Sequence, residues 1–211
     1  MRTKSSKSIA PRRKKSVDDG KGKRSEVRNS IISKLEAMPQ DLLLQRYVAV
    51  ENRLFNFANF LEAKIVLLYA NQNHEIPTFN IIKRSIERNK IIVFPHFDNT
   101  KFNFKLYKVE NLASYIKNGL AGLKDIDTDK CKVVPINSLD IAIIPGIVFD
   151  EKGGRVGNVR DYYDKLIPHL PSTTRKVSLA IEDQIIPQMP LEAKSKHVDI
   201  IITNERVIYK I

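Results

Sequence analysis

Five apolar runs of strand length, KIVLLYA (residues 64–70), KIIVFPHF (90–97), LDIAIIPGIVFD (139–150), RKVSLAI and VDIIITN, leave few architectures open to this chain. A strand that is apolar at nearly every position is covered on both faces, the condition of a parallel strand with helices above and below it. Between the first two runs lie a polar loop, NQNHEIPT, and a helix-periodic stretch around Phe79 to Arg88. That strand–helix–strand succession predicts a right-handed crossover and parallel pairing. Ahead of it, Val27, Ile31 and Leu35, then Leu42, Leu43, Val48, Val50, Leu54, Phe57 and Phe60 recur at helical spacing, with a break at Pro39. Two helices are predicted there, the second opening in PQDLLLQRY.

KFNFKLYKV alternates and reads as a half-exposed strand; NLASYIKNGLAGL reads as a short helix followed by a glycine-bearing loop. LDIAIIPGIVFD reads as one strand, the most apolar and therefore central, YYDKLIPHL as a helix, and RVIYKI as a last short strand. The class is α/β, three-layered, with a mostly parallel sheet of about six or seven strands between helices. Ligands of such sheets bind beyond the carboxyl ends of the strands, so the loops after Tyr69, Phe94, Phe149 and Ile181 are the places to look for chemistry.

A chain of 211 residues, 42% of them apolar, is large enough for one sizeable core. No apolar run approaches the ~18 residues that span a bilayer. With Cys131 alone, a disulfide within the chain and a cysteine metal cluster are both excluded, and a cytoplasmic setting is the expectation. The net charge of +12 is concentrated: residues 1–24 contribute +8 and the other 187 only +4. This segment has no aromatic residue and is expected to be a disordered basic tail over residues 1–23, leaving a single domain over 24–211. Nucleic-acid binding is disfavoured because the body of the chain is only mildly basic.

The loop GGRVGNVRDYYDKL runs from a strand into a helix, a geometry in which backbone N–H groups and the helix dipole can hold a phosphate. A single glycine there, Gly157, is on its own as consistent with a structural turn. The wider string PGIVFDEKGGRVG, followed by YYDK, resembles the signature of the 5-formyltetrahydrofolate cyclo-ligase family, typically PGLAFD and then RLGxGxGYYDR. The resemblance continues in family order through KRSEVRNSI, through KIVLLYANQNHEIPTFNIIKRSIERNKIIVFP, through SLAIEDQIIPQMP and through VDIIIT, about residues 24–209.

The resemblance implies a fold like that of the sugar-phosphate isomerase and CoA-transferase superfamily, a monomer, and two small-molecule substrates, 5-formyltetrahydrofolate and ATP with Mg2+. The implied reaction is ATP- and magnesium-dependent closure of 5-formyltetrahydrofolate to 5,10-methenyltetrahydrofolate. It implies Glu75 and Tyr162 as catalytic residues, and ATP contacts from Arg24, Arg28, Arg155, Gly157, Asn158, Arg160 and Tyr163. It also implies folate contacts from Glu75, Arg28, Tyr162 and Gln184, and Asp164 as a metal ligand. Arg24 and Arg28, four apart, share one helix face.

Two departures stand beside it. Asn158, Val159, Arg160 and Asp161 fill a stretch that is usually glycine-rich, and Ser195 stands where a second metal-binding carboxylate is expected. Side chains at glycine positions cost ~1 to 2 kcal/mol in left-handed backbone, and serine is a poor ligand for a hard cation. A non-catalytic homologue that binds folate or nucleotide is therefore the alternative to an active enzyme.

Overall fold

A computed structural model describes residues 15–97, 103–110, 116–118, 124–158, 162–189 and 197–210. Helix α1, Lys15–Glu36, is followed at the Pro39 break by α2, Gln40–Phe55, and by the short α3, Ala58–Glu62. Strand β1, Ile65–Leu67, leads through α4, Phe79–Glu87, into β2, Ile91–Phe97. The half-exposed β3, Phe104–Val109, comes next, with β6, Lys132–Val134, beyond a small hairpin of β4, Ile116–Asn118, and β5, Lys124–Ile126. Strands β7, Ile141–Ile143, β8, Val148–Asp150, and β9, Arg155–Val156, precede α5, Tyr162–Leu166. The chain closes with β10, Arg175–Leu179, β11, Ile185–Ile186, β12, Ile200–Ile202, and β13, Val207–Tyr209.

The main sheet runs β13-β12-β10-β7-β1-β2-β3-β6. Its five inner strands, β12, β10, β7, β1 and β2, are parallel, and antiparallel strands close both edges. The two-residue period of a strand divides the apolar runs between two cores. Val66, Ile141, Ile143, Ile200 and Ile202 face one core with Ile31, Leu35, Val50, Leu54, Ile81 and Ile82 from the helices. Leu67, Ala142 and Ile201 face the other, with Leu166, Ile167 and Leu170. Both faces are thus buried, which is why these strands carry so few polar side chains.

Three expectations are corrected. LDIAIIPGIVFD is two strands in two sheets: β7 lies in the main sheet, and β8 is the middle strand of a small sheet ordered β11-β8-β9. The break falls at Pro145–Gly146, where proline offers no N–H to continue a ladder. NLASYIKNGLAGL contains strand rather than helix in its described part: Ile116–Asn118 pairs antiparallel with Lys124–Ile126, and cross-strand bonds prevail over weak helical periodicity in so short a stretch. Residues 111–115 and 119–123 lie outside the described residues. The basic segment, expected to be disordered through residue 23, is helical from Lys15. Its run of Lys, Arg and Asp is compatible with continuation of the helix that Val27, Ile31 and Leu35 anchor. Residues 1–14 lie outside the described residues.

Candidate active site

The carboxyl ends of β1 and β7 and the following loops meet at one edge of the sheet. After β1 the chain folds back on itself through its own polar groups. The Thr78 hydroxyl donates to the Tyr69 carbonyl (2.7 Å), the Tyr69 hydroxyl donates to the Ile76 carbonyl (3.2 Å), and the Thr78 N–H donates to Asn71 Oδ1 (3.3 Å). His74 takes left-handed backbone, φ 67°, an uncommon state for a residue with a side chain. Glu75 follows and is only 5% exposed, its Oε2 accepting the Gln72 N–H at 2.9 Å.

Burial pushes the Glu75 carboxyl up to about 7, against the Gln72 hydrogen bond and the Arg155 charge, both of which lower it. Burial also holds the Tyr163 and Tyr69 hydroxyls above their usual range, with the Glu75 charge adding to both. A carboxyl that titrates near neutrality can take up or release a proton under working conditions, unlike an ordinary surface glutamate.

The second wall is built by the small sheet. Asp150, at the end of β8, accepts from the backbone N–H of Gly154 (2.7 Å), Lys152 (3.1 Å) and Met189 (2.9 Å), and so fixes the turn into β9. Within that turn Gly153 has φ +78° and lies where a Cβ would come 2.3 Å from the Val198 carbonyl oxygen; no other residue type fits. The turn delivers Arg155, 3% exposed, whose Nη1 donates to the Pro145 carbonyl at 2.6 Å and whose Nη2 donates to Asp164 Oδ1. Arg24 approaches the other Asp164 oxygen at 3.6 Å from α1, which packs on β8 and on the 182–184 turn. Two guanidinium groups therefore flank one carboxylate. Arg28, one helical turn beyond Arg24, is half-buried and donates to Ser25 Oγ at 3.5 Å.

Gly157 was expected to let backbone approach a phosphate. Here a Cβ at Gly157 would lie 2.6 Å from Arg155 Nη1, so the missing side chain makes room for the guanidinium. Asn158 then donates from Nδ2 to Gln72 Oε1 (3.1 Å), joining the phosphate loop to the Glu75 loop across 86 residues of sequence. Val159, Arg160 and Asp161 lie outside the described residues, as does Ser195. On α5 the Tyr162 ring stacks on Phe97 (4.9 Å, 17°) and the Tyr163 ring meets Phe97 edge-on (5.5 Å). Tyr163 also packs against both cores, so it is the more structural of the two.

For Gln184 the family resemblance implies positioning of the substrate or of a site loop. Gln184 is 1% exposed, and its carboxamide meets only backbone: Oε1 accepts the Ile181 N–H, and Nε2 donates to the Ile147 and His74 carbonyls.

Asp164 does not offer the open carboxylate expected of a metal ligand. It is held by Arg155 and Arg24, and no cluster of three or more His, Cys, Asp or Glu side chains suited to a metal occurs among the described residues. Two cations beside the carboxylate oppose a divalent ion there, so the described residues do not fit a preformed magnesium site.

Sequence reasoning did not reach Asp150, Phe97 or the Gln72–Asn158 bridge. PGIVFD ends on Asp150, and a carboxylate that closes a strand beside two glycines is a signal for such an anchor. Nothing local marks Gln72 or Phe97.

A parallel α/β sheet with the buried Glu75 and Arg155 on the loops at the carboxyl ends of its strands places charged side chains where ligands of such sheets bind. The family model for 5-formyltetrahydrofolate cyclo-ligases matches residues 20–204, and the chain belongs to that enzyme family. A "Probable 5-formyltetrahydrofolate cyclo-ligase" of Caenorhabditis elegans is 24% identical, over 88% of this chain and 95% of its own. The 5-formyltetrahydrofolate cyclo-ligase of Mus musculus is 26% identical, over 85% and 90%. The same fold occurs in the NMR structure of Aquifex aeolicus 5,10-methenyltetrahydrofolate synthetase, with TM-score 0.75, 23% identity and coverage of 88% and 92%. The Mycoplasma pneumoniae 5,10-methenyltetrahydrofolate synthetase also shares it, with TM-score 0.66, 15% identity and coverage of 86% and 98%. No helix among the described residues is long and apolar enough to cross a membrane.

Proposed function

We propose that this chain converts 5-formyltetrahydrofolate to 5,10-methenyltetrahydrofolate at the expense of ATP, with Glu75 as its acid–base group. The observation that carries the reading is the junction of the two walls. The Asn158–Gln72 hydrogen bond and the Arg155 charge felt by Glu75 join the loop of a buried carboxyl to the loop of the buried arginine, and this supports the reading of one shared site.

The formyl oxygen attacks the γ-phosphorus of ATP, the bond from that phosphorus to the bridging β–γ oxygen breaks, and ADP leaves. N10 then adds to the activated formyl carbon and loses its proton, and phosphate departs with the former formyl oxygen. Arg24, Arg28 and Arg155, with Arg160 from the intervening loop, neutralise the phosphate oxygens. Such transfer is largely a matter of position and charge. Magnesium bound to the nucleotide would supply further charge neutralisation at the phosphates. Glu75 removes the N10 proton, and Tyr162 lines the folate side of the cleft.

Purified protein given 5-formyltetrahydrofolate and magnesium ATP is expected to release methenyl product and inorganic phosphate in equal amounts. Phosphate without the methenyl chromophore, or neither product at high protein concentration, overturns the proposal; the second outcome favours a binding protein.

A further inference from the structure

Gln184 lies outside the scheme above, yet it is among the most enclosed polar side chains near the acid. It occupies a turn, Glu182–Gln184, that is fixed from several sides. Asp183 pairs with Arg46 of α2, Glu182 accepts from the Thr203 hydroxyl (2.8 Å) and from Arg206 (2.9 Å), and α1 packs against the turn. From this anchored base the Gln184 carboxamide reaches three backbone groups. Oε1 accepts the Ile181 N–H at 2.8 Å, and Nε2 donates to Ile147 O at 3.0 Å and to His74 O at 3.4 Å. The two carbonyls belong to the two walls of the cleft. Ile147 opens the segment that leads to Arg155, and His74, in left-handed backbone, immediately precedes Glu75.

We infer that Gln184 is a positioning residue: its amide ties the His74–Glu75 peptide to the start of β8 and so holds the Glu75 carboxyl in its buried place against the arginine cradle. A direct folate contact is not available to it, since both ends of the amide already bond backbone and 1% of the residue is exposed. Both donor hydrogens are used, and only a primary amide of this length supplies one acceptor and two donors at these points. Loss of the clamp loosens the loop at Glu75, since its other bonds, Gln72 to Glu75 and Asn158, Thr78 to Tyr69 and Asn71, and His74 to Glu36, do not reach β8. Water then reaches the carboxyl, and its ionised form is better solvated. The groups that face Glu75, namely Arg155, Tyr69 and Tyr163, remain in place in such a variant.

The inference rests on the reading of Glu75 as the acid–base group, and its test separates the two. The full-length protein, labelled with 13C at glutamate side-chain carboxyls, is titrated by NMR as wild type, Gln184→Met and Gln184→Asn, with Glu75→Gln used to assign the resonance. Gln184→Asn keeps the amide but is one methylene too short to span both walls, so it guards against a Met variant that does not fold. The Glu75 midpoint, near 7 in the wild type, is expected to fall by one or more pH units in Gln184→Met and by less in Gln184→Asn. Alongside it, kcat should fall ~10- to 100-fold, with KM for ATP within about twofold of wild type. An unchanged Glu75 midpoint in a folded variant overturns the inference, and so does a rise in KM for the folate with kcat unchanged, the signature of a lost substrate contact. If the wild type does not turn over at all, the functional proposal fails and the NMR midpoints still decide the role of Gln184.

Discussion

Glu75→Gln is expected to lower turnover by about two orders of magnitude or more while making the folded protein more stable above pH 7. The amide keeps an acceptor for the Gln72 N–H and nearly the same shape, but it cannot receive the N10 proton, and loss of a positioned acid–base group costs ~10²- to 10⁴-fold. The stability gain follows from the same burial that makes the group useful. In the folded chain the carboxyl titrates at about 7 against an ordinary 4.5. Below about pH 4.5 both states carry the proton. Between there and pH 7 the unfolded chain releases it first, so stability falls as pH rises, reaching a cost of roughly 3 kcal/mol above pH 7. Glutamine carries no such charge. Initial rates and thermal denaturation at pH 5 and pH 8 check both halves: the melting temperature of the variant should exceed wild type at pH 8, and the difference should vanish at the acid end. The same titration sets an acid limb near pH 7 on kcat/KM of the wild type, where the ionised carboxylate is the active base.

Arg155→Met is the second large effect. Its guanidinium is buried and bonds the Pro145 carbonyl and the Asp164 carboxylate. Removing one member of a buried pair leaves the other charge without full compensation, which costs ~3 to 5 kcal/mol. Arg24, at 3.6 Å, compensates Asp164 only in part, and the Pro145 carbonyl loses a charged donor. Arg155→Met should lower the urea midpoint markedly and raise KM for ATP by tenfold or more. Because the Arg155 charge lowers the Glu75 pKa, the acid limb of kcat/KM should also move to higher pH in this variant. A normal urea midpoint together with an unchanged KM would remove Arg155 from the cradle.

Much of the fold is legible in the sequence because the inner strands are covered on both faces. Val66, Leu67 and Leu68, or Ile200, Ile201 and Ile202, leave no polar side for water, and such runs admit few alternatives to parallel pairing. Where burial is one-sided or brief, pattern fails. The edge strand β6 is three residues long with Lys132 and Val133 exposed, and β4 lies within a stretch whose periodicity resembled a helix. The division of LDIAIIPGIVFD between two sheets is signalled by Pro145–Gly146, a breaker overridden in the reading by the apolarity on either side.

The site divides in the same way. The loops that carry Glu75 and Arg155 follow from the strand pattern, after Tyr69 and Phe149, but the residues themselves follow only from the family resemblance, since an acid in a polar loop or one arginine near glycines says little alone. The relations between those loops are not local properties. Gln72 meets Asn158 across 86 residues, and Gln184 reaches His74 across 110. Gly157, which the family pattern places at a phosphate, opens space for Arg155 Nη1.

The most direct measurement of the central claim uses 5-formyltetrahydrofolate carrying 18O in its formyl group, turned over with magnesium ATP in ordinary water. The account predicts that the released inorganic phosphate carries one 18O per methenyl product formed, because the formyl oxygen bonds to phosphorus before it leaves carbon. Methenyl product accompanied by phosphate free of the label would contradict it.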